Sequence, residues 1–265
     1  MEIIEQQVVG KHTADDCEDG IVITPDFVAV IDGSTSKSPL RISPEMRNGR
    51  FCMLQLCKVI PDVPAEATLD DLCDRVTAAI APFYDRPLPP RHRLCASMVI
   101  YSRYHHTIWL IGDCQCMVGG QLYENSKPDE AKIARRRAEL FPEMCRQHPD
   151  MLAGSQLVHD YARDAVLPQL IESMQGQNKS YAVIDGTPIY RPGVKEIKLM
   201  PEQHEVVLAT DGYPLLHSTL AESEKNLQHQ LETDPYNIRC FVATKGLMQG
   251  NLSFDDRAYV RFVTS

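Results

Sequence analysis

Three apolar runs punctuate the chain, and each closes on an acid. Phe27–Val28–Ala29–Val30–Ile31 leads into Asp32–Gly33, and Thr107–Ile108–Trp109–Leu110–Ile111 leads into Gly112–Asp113. Glu205–Val206–Val207–Leu208–Ala209 leads into Thr210–Asp211–Gly212. Short apolar runs rich in β-branched residues and bounded by turn residues read as strands buried on both faces. An acid at the end of such a strand is held on a rigid element, and a neighbouring glycine lets backbone groups come close to a ligand. Asp-Gly is also a common hairpin signal. The weight therefore lies in the repetition.

Between these runs the pattern predicts the remaining elements. Residues 1–20 read as a strand followed by the acid-rich turn Asp15–Asp16–Cys17–Glu18–Asp19–Gly20. Ile21–Val22–Ile23–Thr24 forms a hairpin with the run at Phe27 across Pro25–Asp26. Ser43–Pro44 has the form of a helix start, with Cys52, Leu56, Val59 and Ile60 at helical spacing beyond it. A second helix starts at Thr68, with Asp71 as a shortened capping-box partner and a buried stripe of Leu69, Leu72, Cys73, Val76 and Ile80. Leu94–Arg103, Thr107–Ile111, Gln115–Val118 and Gln121–Tyr123 read as an antiparallel meander. Helical segments follow at about 128–146 and 155–175, with Arg135–Arg136–Arg137 as a solvated face of the first. Residues 180–210 return to strands with a hairpin turn at Asp185–Gly186, short helices fill 214–232, and Ala258–Val263 is the last strand. Strand runs interrupted by helix pairs predict an α+β fold with antiparallel sheets. No low-complexity linker divides residues 1–265, so a single domain is expected.

Composition narrows the function classes. A net charge of −9 argues against nucleic acid or an anionic membrane as partner. No apolar run approaches the roughly 20 residues of a bilayer span, and Met1–Glu2–Ile3–Ile4–Glu5 lacks the marks of a signal peptide. The 9 cysteines are an odd number at irregular spacing, which reads as reduced core thiols of a cytoplasmic protein. Cys114–Gln115–Cys116 is the only close pair and has no second pair with which to bind zinc.

The acids carry the chemistry. Asp32, Asp113 and Asp211 follow strands, and Asp255 precedes one. In antiparallel sheets the end of one strand lies beside the start of its neighbour, which gathers all four at one edge. Clustered carboxylates repel one another unless cations neutralise them. Few histidines accompany them, which favours Mg²⁺ or Mn²⁺ over Zn²⁺. Two such ions are a recurring device for hydrolysing phosphate esters.

The ordered set Glu18–Asp19, Asp32–Gly33, Gly112–Asp113, Thr210–Asp211–Gly212 and Asp255–Asp256 resembles the metal-dependent protein phosphatases of the phosphatase 2C type, as a divergent, bacterial-like member. The resemblance implies two stacked antiparallel β-sheets flanked by helix pairs, with two Mn²⁺ or Mg²⁺ ions in a cleft at one end. By position, Asp32 would bridge the ions and the Gly33 carbonyl would complete the shell of the second. Asp211 and Asp255 would hold the first ion, Glu18 and Asp19 would reach the second through water, and Asp113 would bind a weaker third. Asp32, Asp211 and Asp255 are thereby the implied catalytic set. The implied activity is hydrolysis of phosphate monoesters, phosphoserine and phosphothreonine in proteins foremost, by water activated between two ions.

Some family features are missing. Ala14 stands where members often carry a phosphate-clamping arginine, and Ser34 stands where animal enzymes carry a histidine. Gly-Asp-Ser-Arg has become Gly112–Asp113–Cys114–Gln115, the acid after Thr-Asp-Gly is replaced near Leu215, and residues 124–204 fit poorly. Lys37, in a loop with Ser34, Thr35 and Ser36, is the nearest cation in sequence to the first Asp-Gly and the candidate substitute for the arginine. Lys11–His12, just ahead of the acid-rich turn, reads as a surface pair first and as a pair approaching the cleft second. The alternative function is a non-catalytic regulator that keeps the fold and binds a phosphoprotein or a partner. Oligomeric state is not legible.

Overall fold

The computed structural model describes residues 1–264. In chain order the strands and helices are β1 (Glu2–Val9), β2 (Asp19–Ile23), β3 (Phe27–Gly33), α1 (Asn48–Val59), α2 (Leu69–Ile80) and β4 (Ala96–Ser102). There follow β5 (Thr107–Ile111), β6 (Gln115–Val118), β7 (Gln121–Glu124), α3 (Glu130–Gln147), β8 (Leu152–Ala153) and β9 (Gln156–Leu157). The chain ends with α4 (Tyr161–Ser173), β10 (Lys195–Lys198), β11 (Glu205–Ala209), α5 (Leu220–Thr233) and β12 (Arg257–Val263). One antiparallel sheet has the order β1-β12-β11-β6-β7 and the other β10-β5-β4-β3-β2. This is the two-sheet, helix-flanked sandwich that the resemblance implies.

Alternation along the strands builds three layers of core. Val28 and Val30 of β3 face the other sheet, where they meet Val206 and Leu208 of β11 and Val260 and Phe262 of β12 in one buried cluster. Phe27, Ala29 and Ile31 point the opposite way, onto Cys52, Leu56, Leu72, Val76 and Ile80 of the α1–α2 pair. β3 is thus buried on both faces. On the outer face of the first sheet, Val207, Ala209 and Tyr259 pack with Tyr213 and Leu216, and Leu220 at the start of α5 packs against them. α3 and α4 pair on Ile133, Val166 and Leu170, and the end of α3 packs on Met151, Leu157, Tyr236 and Met248. Among the described residues, no helix is long and apolar enough to cross a membrane.

Several local expectations need correction. The first helix begins at Asn48 rather than at Ser43–Pro44, where Ser43 Oγ only accepts from the Glu45 N–H in a bend. Its start is set by tertiary packing: a Cβ at Gly49 would lie 2.6 Å from the Gly33 carbonyl oxygen and 2.3 Å from Glu18. The meander is divided, with β4 and β5 in one sheet and β6 and β7 in the other. Gly112, at φ 89°, takes the left-handed turn that carries the chain across. Residues 180–190 form no strand and only two isolated bridges, Ala96 with Ile184 and Gln177 with Tyr181. Asp185 is there fully buried and spends its carboxylate on Arg93, Asn178 and Thr187. Arg137 is not on a solvated face. It is fully buried and donates to Asp160 and to the carbonyls of Tyr236 and Ala243.

Candidate active site

Sheet register brings the acidic motifs together. Asp19 opens β2 directly opposite Asp32 near the end of β3, and Asp32 in turn faces Ser97 near the start of β4. β5 ends at Ile111, one residue before Gly112–Asp113. The end of β11 is pinned to the start of β12 where the Thr210 N–H donates to the Ala258 carbonyl, which sets Asp211 beside Asp255–Asp256. The closeness leaves no room at Gly212, where a Cβ would stand 2.0 Å from the Asp256 carbonyl oxygen. Asp32, Gly33, Asp113, Asp211 and Asp255 line one cavity of about 280 Å³, together with Ser34 and Lys37. Glu18 and Asp19 lie buried behind it. A larger cleft of about 730 Å³ runs between α3 and α4 and contains none of these acids.

The carboxylates fall into two electrostatic groups. Asp19, Asp32 and Asp211 form the first. Burial raises all three, and the mutual repulsion of Asp32, Asp255 and their neighbours adds to it, so that Asp32 is pushed from 3.8 up to about 7. Among the described residues, the side chains of Asp32 and Asp211 have no ion pair or hydrogen-bond partner, and Asp19 Oδ2 is a buried oxygen without one. Asp113 and Asp255 form the second group. Burial would raise them too, but lysine neighbours outweigh it and hold both below the ordinary value.

Those lysines come from three separate places. Lys11, two residues past β1, places Nζ 2.8 Å from Asp256 Oδ2 and 3.4 Å from both Glu18 and Asp255. Its own N–H donates to Asp256 Oδ1 at 2.7 Å. Lys127, just before α3, lies 2.5 Å from Asp113 Oδ2, whose other oxygen accepts from Ser97 Oγ. Lys245 pairs with Asp255. Burial alone would lower Lys127 and Lys245, and the facing carboxylates reverse that and raise both.

Two further cations line the cavity without a carboxylate partner at ion-pair distance among the described residues. Lys37 Nζ donates to the Thr35 carbonyl at 3.0 Å. Burial, then the charges of Arg163, Lys245 and Lys127, lower it from 10.5 to about 8. Arg163, near the start of α4, donates from Nη1 to the Thr244 carbonyl and hydroxyl and lines the same cavity. Asp160, the cap of α4, fixes that turn by accepting from the Arg163 N–H at 2.9 Å.

The sequence expectations therefore meet in space. Asp32, Asp113, Asp211 and Asp255 line one cavity with Ser34 and Lys37, while Glu18 and Asp19 are buried outside its lining, Asp19 directly opposite Asp32 in the sheet. Lys11 belongs to the site rather than to the surface, while His12 remains exposed. Lys127, Arg163 and Lys245 were missed. They come from the stretches at 124–204 and 236–248, where no local pattern marks Lys127 as facing Asp113 or Lys245 as facing Asp255.

The donor set suits a hard, oxygen-ligated cation in one region. Asp19, Asp32 and Asp211 present uncompensated carboxylate oxygens, and an unpartnered buried oxygen of Glu18 adjoins them. Among the described residues, no three Asp, Glu, His or Cys side chains already form a closed metal cage. Asp113, Asp255 and part of Glu18 instead face ammonium groups.

No family model and no curated protein matches the chain. Several solved structures are similar to it across nearly their whole length. The serine/threonine phosphatase PstP/Ppp of Mycobacterium tuberculosis shows 13% identity and a TM-score of 0.49, covering 100% of this chain and 99% of its own. The PPM Ser-Thr phosphatase MsPP of Mycobacterium smegmatis, solved with cacodylate, shows 13% identity and a TM-score of 0.48, with 98% of each chain covered. RsbX, solved with magnesium, shows 11% identity and a TM-score of 0.44, covering 98% of this chain and 97% of its own.

Proposed function

We propose that this protein is a metal-dependent phosphatase that hydrolyses phosphate monoesters, with phosphoserine and phosphothreonine of proteins as its substrate class. The observation that carries this reading is the opposition within one cavity. Asp32 and Asp211, whose carboxylates have no partner among the described residues, line it together with Lys37 and Arg163, and Asp19 lies opposite Asp32 in the sheet register. Asp32, Asp211 and the Gly33 carbonyl would hold Mn²⁺ or Mg²⁺, with Asp19 and Glu18 behind them. Such an ion supplies Lewis-acid polarisation of phosphoryl oxygens and acidifies water.

The protein's own side chains do the rest. A phosphate dianion entering a cavity walled by carboxylates needs positive charge on the opposite wall. Arg163 is anchored through one terminal nitrogen to Thr244, which orients its remaining donors as a planar fork suited to two phosphoryl oxygens. Lys37 adds a point charge beside the hydroxyls of Ser34 and Thr35. These groups replace the arginine absent at Ala14, and they come from different elements.

One observation favours the second reading, a phosphatase-like regulator. Lys11 and Lys245 engage Glu18 and Asp255, two acids that the resemblance assigns to the ions. If the lysines keep those acids in the folded protein at neutral pH, ion binding is impaired and phosphoprotein binding survives without turnover. Hydrolysis of p-nitrophenyl phosphate and of phosphoserine and phosphothreonine peptides, measured with Mn²⁺ and again with a chelator, separates the two. Turnover that disappears in chelator and returns with Mn²⁺ supports the enzyme. Peptide binding with no turnover under any metal supports the regulator.

A further inference from the structure

Asp113 is the acid to which the phosphatase resemblance gives a weaker third ion, and a side chain of this protein already stands there. Both of its carboxylate oxygens are bound: Oδ2 by Lys127 Nζ and Oδ1 by Ser97 Oγ, each at 2.5 Å. The lysine is delivered by a restrained loop. Two residues before it, Asn125 Nδ2 donates to the carbonyls of Gly112 and Gly193, both at 3.0 Å, which ties the loop to the residue preceding Asp113. Pro128 follows immediately and fixes the backbone on the other side.

A divalent ion at the same place would meet poor conditions. Hard cations of this kind seek about six oxygen ligands. Both oxygens of the Asp113 carboxylate are already engaged, and Leu215, 52% exposed, occupies the region in sequence where a companion acid would be expected. The ion would also have to displace an ammonium group and leave it largely buried without its partner, which is strongly unfavourable.

We propose that the ammonium of Lys127 is a resident cation at Asp113, standing in the position of a third metal ion, so that the site is complete with at most two exchangeable ions. Its purpose rests on the phosphatase reading, whereas its test does not. Lys127 borders the cavity that also holds Asp32, Lys37 and Arg163, so its fixed charge adds to the positive wall that faces an incoming phosphate.

The test is a count of bound Mn²⁺ by calorimetry, checked by elemental analysis after equilibrium dialysis, with no activity readout. Asp113→Asn in the otherwise wild-type chain should leave the count unchanged. Lys127→Met should add one site, and the Lys127→Met/Asp113→Asn double variant should lose it again. Lys127→Arg, which keeps a cation, should retain the wild-type count. Loss of an ion from the wild type on Asp113→Asn, or no gain in a folded Lys127→Met protein, would overturn the proposal. Should Lys127→Met fail to fold, the Asp113→Asn and Lys127→Arg counts still decide it. Because each result is a difference from the wild-type count, it stands whether or not the protein turns over phosphate esters.

Discussion

Asp113 and Asp211 end their strands in the same way, yet they occupy opposite electrostatic situations. The first is bound at both oxygens and held below its ordinary pKa, while the second has no partner among the described residues and is raised well above it. The motif pattern located both residues. The difference was not legible, because it is made by Lys127 and Ser97, which reach Asp113 from a separate loop and a separate strand. Lys37 was legible, since it shares a loop with Ser34 and Thr35, and its titration yields a prediction. Burial and three neighbouring cations lower it from 10.5 to about 8, so its charge is present below that pH and lost above it. Affinity for phosphate esters should therefore fall as pH rises through about 8, and Lys37→Met should flatten that limb. At pH 7, Lys37→Ala should raise KM for an aryl phosphate by about tenfold, equivalent to about 1.4 kcal/mol. The sign for stability is the reverse: the buried ammonium disfavours the fold below pH 8, and that cost is relieved between about 8 and 10.5. An unchanged KM and an unchanged pH limb in both variants would remove Lys37 from the site.

At the scale of elements, the legible features were those with local causes. The capping box at Thr68 and Asp71 is formed as expected, with reciprocal side-chain and backbone bonds, and the stripe Leu72, Cys73, Val76 and Ile80 is buried. The start of α1 was illegible because its position is set by Gly33 and Glu18 pressing on Gly49. Arg137 was misread for a similar reason. Three consecutive arginines look solvated, and only the fold shows the third turning inward to Asp160 and the carbonyls of the 236–243 stretch. This buried pair connects α3 to the cap of α4, and thereby to Arg163 and the segment bearing Thr244 and Lys245. Arg137→Met should destabilise the protein by about 3–5 kcal/mol, the usual cost of leaving one member of a buried pair uncompensated. Denaturant unfolding measures it. A loss below about 1 kcal/mol would show that the pair is not what holds this wall together.

For the whole molecule, the unbalanced carboxylates oppose the fold that positions them. Asp19 is buried and Asp32 and Asp211 are half-buried together at the sheet edge without enough countercharge, so the metal-free protein carries a repulsion that a bound divalent ion would relieve. Mn²⁺ at about 100 times its Kd should then stabilise the fold by about 2.7 kcal/mol. Asp32→Asn should raise the melting temperature of the metal-free protein, by about 2–4 °C for each kcal/mol of repulsion removed, and should abolish most of the Mn²⁺ effect. Thermal unfolding with and without Mn²⁺ checks both. A metal-free Asp32→Asn protein less stable than the wild type would show that the cluster is balanced in some other way. The antiparallel α+β class was legible from strand runs broken by helix pairs, and the two-sheet architecture was reached through the resemblance that the acidic motifs carry. The cationic half of the cavity was not, because no period or spacing encodes a contact between residues as far apart as Lys245 and Lys11, which converge on Asp255.

The central claim is that the open carboxylates hold an ion that drives phosphate-ester hydrolysis. Its most direct test is the rate of p-nitrophenyl phosphate hydrolysis as a function of Mn²⁺ concentration, in the wild type and in Asp32→Ala and Asp211→Ala. The expected result is a saturable, chelator-reversible rise in the wild type, with turnover in both variants reduced by at least about a hundredfold, or ~2.7 kcal/mol of transition-state stabilisation. Turnover in the wild type that is indifferent to Mn²⁺ and chelator, or that persists undiminished in both variants, would contradict the account.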